Sequence, residues 1–374
     1  MSYNTLNYHS KKDTVILITG AVGFIGSSLV IALYKDHRII GIDKRKPSDA
    51  LITATPGVKW IELDISNASK LKLIFKQVVE DFGKIDFVIH LVAYYHFGND
   101  WQEEYETTNI KGTENVVNAA AHFGIQRIFF TSSIAALEPP DNGLPLNESS
   151  PASDYIPYAK SKSEGEKILK KASLKIPSAI LRLGGVFSDW CELPPLYSLI
   201  MLWSSFKPIT NMIPGKGDSG IPYIHLTDVI QIIKRCIALH DKLENCETFL
   251  ASQSGTVLHK NLFISIKQAL NQEGSHKPIY ISPVLARVGL LLKLKFGFIF
   301  DKNPFEQTWM LNYTDRPWIV NNDFTQKRLG WQTSPELDIL KRLPLIINLY
   351  KNYKDIWIER NLRRGAGKYI YQSD

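Results

Sequence analysis

Tyr158 and Lys162 stand four residues apart in the run Tyr158-Ala159-Lys160-Ser161-Lys162. On a helix, positions i and i+4 share one face, so a phenol and an ammonium would point into the same cleft. A free tyrosine titrates near pH 10, too high to exchange protons readily at neutral pH, and a neighbouring ammonium favours its phenolate. The pair is therefore a candidate acid–base group. Spacing alone selects nothing, because Tyr8/Lys12 and Tyr350/Lys354 repeat it. Position and company select the middle pair. Ser133 lies upstream and would hydrogen-bond a substrate oxygen near Tyr158; its neighbour Ser132 competes for that role, and Ser133 is preferred.

The second chemical feature is Thr19-Gly20-Ala21-Val22-Gly23-Phe24-Ile25-Gly26, between an apolar strand and a helix. Gly20 suits a tight turn, Gly23 a close approach of backbone to phosphate, and Gly26 close helix–strand packing. The first helical residues, Phe24 and Ile25, would present backbone N–H groups and the positive end of the helix dipole to a pyrophosphate. Asp43, at the end of the second strand, could accept hydrogen bonds from adenosine ribose hydroxyls and repel a 2′-phosphate. That favours NAD over NADP, although Lys44-Arg45-Lys46 follows immediately and could greet such a phosphate. Asp64, with Ile65 beside it, is a candidate adenine contact or simply a turn-forming residue before a helix at Ser66/Asn67. Lys162 could also hold the nicotinamide ribose. Together these residues imply hydride exchange between a nicotinamide and an alcohol or ketone.

The elements that must position them follow from periodicity. Short apolar runs at 14–19, 38–42, 58–63, 85–91, 127–132 and 178–183 predict strands, and 24–34, 71–82 and 103–123 predict helices. This alternation predicts an α/β fold, a doubly wound parallel (Rossmann) sheet with ligands at the strands' carboxyl ends. Beyond Gly184 the prolines at 194, 195, 208, 214 and 222 loosen the pattern. Residues 1–183, with 221–252 returning, are expected to form the nucleotide-binding domain. Residues 184–220 and 253–374 would form a smaller substrate-binding lobe, and 223–240 would return to the main sheet as a strand end and helix.

At 374 residues, 44% hydrophobic and 22% charged, the chain is an ordinary globular protein. Its net charge of +7 comes from residues spread along the chain without a recognition motif, so nucleic acid is not expected as a partner. Cys191, Cys236 and Cys246 are too few and scattered for a disulfide framework or zinc site, and the nine histidines show no paired spacing. His90 and His225 read as hydrogen-bonded structural residues. With no apolar stretch in the first thirteen residues, a cytoplasmic setting is expected. The run Val284–Phe300 is apolar but carries Arg287, Lys293 and Lys295, and is too short to span a bilayer. Residues 341–374 hold eight Lys/Arg against three Asp/Glu, interleaved with Tyr350, Tyr353 and Trp357. These two segments either rest on an anionic membrane surface or pack over a greasy pocket.

In these residues the chain resembles the extended short-chain dehydrogenase/reductase family. Thr19–Gly26 is similar to its TGxxGxxG signature, and His90-Leu91-Val92-Ala93 to its cofactor-lining segment. Asn109–Thr113 resembles NxxGT, and Ser133, Tyr158 and Lys162 resemble the catalytic set. Leu181-Arg182, His225–Val229 and Leu329-Gly330-Trp331 resemble later signatures. The resemblance implies a homodimer through helices near 103–122 and 157–172. It also implies that dehydratases carry an acid shortly after the catalytic serine, where this chain has Ile134-Ala135-Ala136-Leu137 before Glu138. Epimerases would show Asn and Arg as diphosphate handles where Gly185 and Ile221 stand. The expectation is therefore a hydrophobic, sterol- or lipid-like alcohol, similar to the 3β-hydroxysteroid dehydrogenase and dihydroflavonol-reductase branch. A nucleotide-sugar epimerase, with Arg316 meeting a phosphate, is the alternative, and a non-catalytic NAD(P) sensor a second one.

Overall fold

A computed structural model describes residues 13–138, 143–205, 207–271, 277–296 and 305–363. In chain order the strands are β1 (Val15–Thr19), β2 (Arg38–Asp43), β3 (Lys59–Glu62), β4 (Phe87–His90), β5 (Arg127–Ser133) and β6 (Ser178–Leu183). They continue as β7 (Gly185–Phe187), β8 (Met212–Pro214), β9 (Gly220–Ile221), β10 (Tyr223–His225), β11 (Cys246–Ala251), β12 (Val257–Leu258) and β13 (Ile279–Ile281). Seven form one parallel sheet in the order β11-β6-β5-β4-β1-β2-β3. Strand order reverses between β1 and β4, which opens a crevice at their carboxyl ends.

β1 is buried at every position because it is covered on both faces. Ile16 and Ile18 feed one core with Leu29, Val30, Ile232 and Phe249. Val15 and Leu17 feed the other with Phe75, Val88, Val116 and Phe130. The helix Ala68–Phe82 shows how local sequence sets such a layer. Asn67 caps its start by accepting the Lys70 N–H, Gly83 ends it in the left-handed region, and Leu71, Phe75 and Val78 form its buried stripe. A third core joins Leu196, Tyr197, Trp203, Phe263, Leu343 and Trp357.

Two expectations need correction. The strand Tyr223–His225 pairs with β7 outside the main sheet, and the strand that returns to it is β11, alongside β6. The expected helix 103–123 is π-helical over Tyr105–Lys111 before its α-helical part, Gly112–His122. Of the two readings of the basic carboxyl-terminal stretch, inward packing holds at Trp357, which is fully buried and stacked on Tyr197. Tyr8/Lys12, 297–300 and 364–374 lie outside the described residues. No helix among the described residues is long and apolar enough to cross a membrane. The helices Gly112–His122 and Pro157–Ala172 expose polar residues, among them Glu114, Asn118, Lys160 and Lys167, so a dimer through them would meet through polar groups.

Candidate active site

Gly20 leaves β1 with φ +76°, and a side chain there would press on the Val92 backbone nitrogen at 3.0 Å. The turn is thus wedged against the segment Leu91-Val92-Ala93 that follows β4. Gly26 has a different constraint: a Cβ would lie 2.8 Å from the Ala21 Cα, so only glycine lets this helix sit against the turn. The helix Phe24–Leu33 starts at Gly23 with no side-chain cap and no acid in its first turn. Backbone donors and the dipole's positive end therefore face the crevice without a competing anion on that turn.

Asp43 is buried and accepts the Val22 N–H at 3.1 Å, which ties the second strand to the glycine turn. It also accepts the Arg45 backbone N–H at 3.0 Å and the guanidinium Nε at 3.2 Å. The carboxylate that would favour NAD and the cation that would greet NADP are thus one ion pair. Asp64 accepts the Ser66 N–H at 2.9 Å, as a turn-forming aspartate does, and both Asp64 and Ile65 line the crevice.

The acid–base pair sits on the helix Pro157–Ala172, with Tyr158 and Lys162 both buried. Ser133 stands beside Tyr158, where it draws the phenol's pKa down, and both line one crevice. Ser132 instead donates to Glu166 at 2.7 Å, so geometry separates the two serines. Burial pushes the Tyr158 phenol up to about 12, partly offset by Ser133, and pushes the Lys162 ammonium down to about 8, partly offset by Glu166. This differs from the lowered phenol expected from helical spacing. Lys162 is engaged elsewhere: its Nζ donates to the Thr131 carbonyl at 2.7 Å and lies over the Phe130 ring. Desolvation outweighs a neighbouring charge in so dry a site. The competing pair Tyr350/Lys354 lies outside the crevice, with Lys354 against the Tyr350 ring.

Three buried residues position these groups, and of them Glu166 alone carries no signal in the sequence. Buried Asn109 accepts the Tyr94 N–H and donates to the Tyr94 carbonyl and the Ser161 hydroxyl, fixing the segment after β4 to the Tyr158 helix. Its sequence signal is the segment Asn109–Thr113, and the structure places it on the π-helical turn Tyr105–Lys111. Glu166 binds Arg182 through both oxygens at 2.9 and 2.8 Å. His90 contacts Thr19 and Thr113 through its ring nitrogens, and burial lowers its pKa to about 3, with Lys162 adding to the effect. It is neutral and structural.

All thirteen sequence-nominated cofactor residues and Ser133 line one cleft of about 1200 Å³. Residues 16–251 match the NAD dependent epimerase/dehydratase family. The chain belongs to that family. As a member it is an enzyme of the extended short-chain dehydrogenase/reductase type, and its cofactor is NAD. It is 31% identical over 184 residues to a mouse dTDP-D-glucose 4,6-dehydratase, covering 46% of this chain and 50% of that one. The match therefore spans about half the length of that relative. A putative UDP-glucose 4-epimerase of Methanocaldococcus jannaschii is 27% identical over 345 residues, covering 90% of this chain and 99% of the other. The structure of Thermotoga maritima UDP-glucose 4-epimerase with UDP-glucose superimposes with a TM-score of 0.68 at 18% identity, covering 91% and 100%. At that identity the likeness is one of fold. The relatives favour the nucleotide-sugar alternative over a sterol-like substrate.

The outer half of this family member's cleft is largely apolar. Leu193, Leu199, Ile213, Ile281 and Phe305 line it. Where diphosphate handles were sought, a side chain on Gly185 would lie 3.2 Å from Leu193 and 3.3 Å from Ile221. Arg316 also lines this half, its guanidinium 5.1 Å from the Tyr313 ring centre.

Proposed function

We propose that the enzyme epimerises a nucleotide sugar through reversible oxidation of one carbinol. The observation that carries this reading is that Ser133, Tyr158 and Lys162 meet in the cleft that also holds the glycine turn, with Ile134 and Ala135 where a dehydratase would need an acid. Tyr158 Oη takes the carbinol proton and later returns it. Ser133 Oγ holds the substrate oxygen beside it. Lys162 carries positive charge behind the phenol and orients the cofactor ribose. NAD, held by the turn Gly20–Gly26, Asp43, Ile65 and Leu91–Ala93, supplies the hydride acceptor and, once reduced, the donor. The described residues within 184–220 and 253–363 supply the substrate-covering part of the cleft.

Arg316 is the cation assigned to the diphosphate. A charge-assisted contact contributes about 1.5–3 kcal/mol, so Arg316→Ala should weaken nucleotide-sugar binding about 10- to 100-fold. A thermal-shift screen of NAD-loaded protein against UDP-, GDP- and dTDP-sugars, beside sterols and flavonoid-like alcohols, tests this reading. The expected result is saturable stabilisation and turnover of one nucleotide sugar, both reduced in Arg316→Ala. Stabilisation by the apolar alcohols alone would reject it in favour of a hydrophobic carbinol, the second reading, which the apolar outer cleft supports.

The cofactor preference has its own test. Removing the Asp43 carboxylate frees Arg45 for a 2′-phosphate, so Asp43→Gly should move the NAD-to-NADP affinity ratio at least about tenfold towards NADP. Calorimetric titration of both nucleotides measures it. An unchanged ratio would remove Asp43 as the discriminating group.

A further inference from the structure

The helix Pro283–Phe296 leaves an aliphatic face in water. Val284 is 72% exposed, Val288 50% and Leu292 52%, at i, i+4 and i+8, with Leu285 at 64% and Leu291 at 50% beside them. The patch extends onto Ile279 and Tyr280 of β13, 41% and 49% exposed, and onto exposed Ile209 and Met212. Segregation of this kind on a short helix is the pattern of an interfacial element. Its charge is one-sided: residues 277–296 contain Lys277, Arg287, Lys293 and Lys295 and no Asp or Glu.

The same helix forms the rim of the cleft. Leu285, Gly289 and Leu290 line it, as do Ile209, Met212 and Ile281. Leu285, Ile209 and Met212 are thus both cleft wall and exposed surface, so the cleft opens on the apolar patch.

We propose that the helix Pro283–Phe296 seats the enzyme on an anionic phospholipid bilayer, with the mouth of the cleft facing the lipid. The aliphatic face enters the headgroup boundary, and exposed Lys277 and Arg287 meet anionic headgroups. This seating does not depend on the nucleotide-sugar reading, because turnover of a soluble substrate and lipid binding are measured separately.

The test is co-sedimentation of the full-length, NAD-loaded protein with vesicles of phosphatidylcholine and phosphatidylglycerol, against phosphatidylcholine alone. Binding is expected to the anionic vesicles and to weaken in about 1 M salt, where charges are screened beyond about 3 Å. The variant Val284→Asp/Leu292→Asp, at positions outside the cleft wall, should lose at least about tenfold in partitioning while keeping NAD affinity, the scale of two aliphatic side chains held in water. Wild-type protein that ignores anionic vesicles, or a variant that binds them equally, overturns the proposal. So does a wild-type dimer that this variant dissociates without any lipid binding, which would assign the patch to a second copy. Should the variant not fold, hydrogen exchange on the wild type decides: vesicles must protect amides 284–292, and unchanged exchange there rejects the proposal.

Discussion

Replacing Tyr158 by phenylalanine is expected to lower turnover about 100- to 10,000-fold while leaving NAD affinity nearly unchanged. Only the proton-transfer oxygen is removed. The ring keeps its packing against Tyr95 and Phe97, at centroid distances of 5.3 and 5.1 Å. Ser133 still accepts the Ala135 N–H at 3.1 Å, so the end of β5 stays in place. The pH profile follows from the sign of the shift. Burial holds the phenol protonated up to about pH 12 in the ligand-free chain, so carbinol oxidation should accelerate as pH rises towards the phenol's value. The residual rate of Tyr158→Phe should lack that rise. Steady-state kinetics across pH, with calorimetric NAD titration, measures both. Near-wild-type turnover in the variant would reject Tyr158 and direct attention to Tyr155, which lines the same cleft.

Much of this site was legible because its parts are local. The strand–turn–helix around Gly20 and Gly26 depends on neighbours in sequence, and the structure gives both glycines a steric reason. Of the six strands up to β6, all but the edge strand β3 are short runs buried almost throughout on both faces, which leaves little polar alternation to mislead. β11 was harder, because Cys246–Ala251 reads Cys-Glu-Thr-Phe-Leu-Ala and is pinned at the sheet edge by β6 on one side only. Distant pairings were not legible at all. Nothing near Ser132 in sequence says that Glu166 occupies it, and nothing near Tyr94 says that Asn109 does. The preference for an apolar carbinol rests on the missing polar residues at Gly185 and Ile221. The relatives favour instead the nucleotide-sugar alternative, with Arg316 as its phosphate contact, since a binding cleft gathers side chains from several segments. Arg316, more than ninety residues beyond Ile221, lines the same cleft.

Removing the Glu166 carboxylate is expected to cost about 3–5 kcal/mol of stability, the range for leaving one member of a buried ion pair uncompensated. Glu166 and Arg182 are each only 1% exposed, so water cannot replace the lost partner. The pair does more than bridge the Tyr158 helix to β6. Arg182 also donates to the Ser150 carbonyl at 2.8 Å, and Glu166 receives Ser132. Glu166→Ala therefore unties the helix, the strand and the end of β5 together. Burial alone would raise the Glu166 pKa, but hydrogen bonds and charge from Arg182, with Ser132 and Lys170, reverse it and leave it lowered. A carboxylate lowered on folding stabilises the fold above its unfolded pKa, and that contribution fades as pH falls through the folded value. Denaturant titrations should thus show a large gap between wild type and Glu166→Ala at neutral pH. The gap should narrow below the ordinary carboxylate range, near pH 4. Glu166→Gln, which keeps the shape and part of the hydrogen bonding, should recover some of the stability. It should also depress the Lys162 pKa further, because Glu166 is the group that holds it up against burial. Equal denaturation midpoints for wild type and Glu166→Ala at neutral pH would show that the apolar packing around β6, and not this pair, holds the catalytic helix in register.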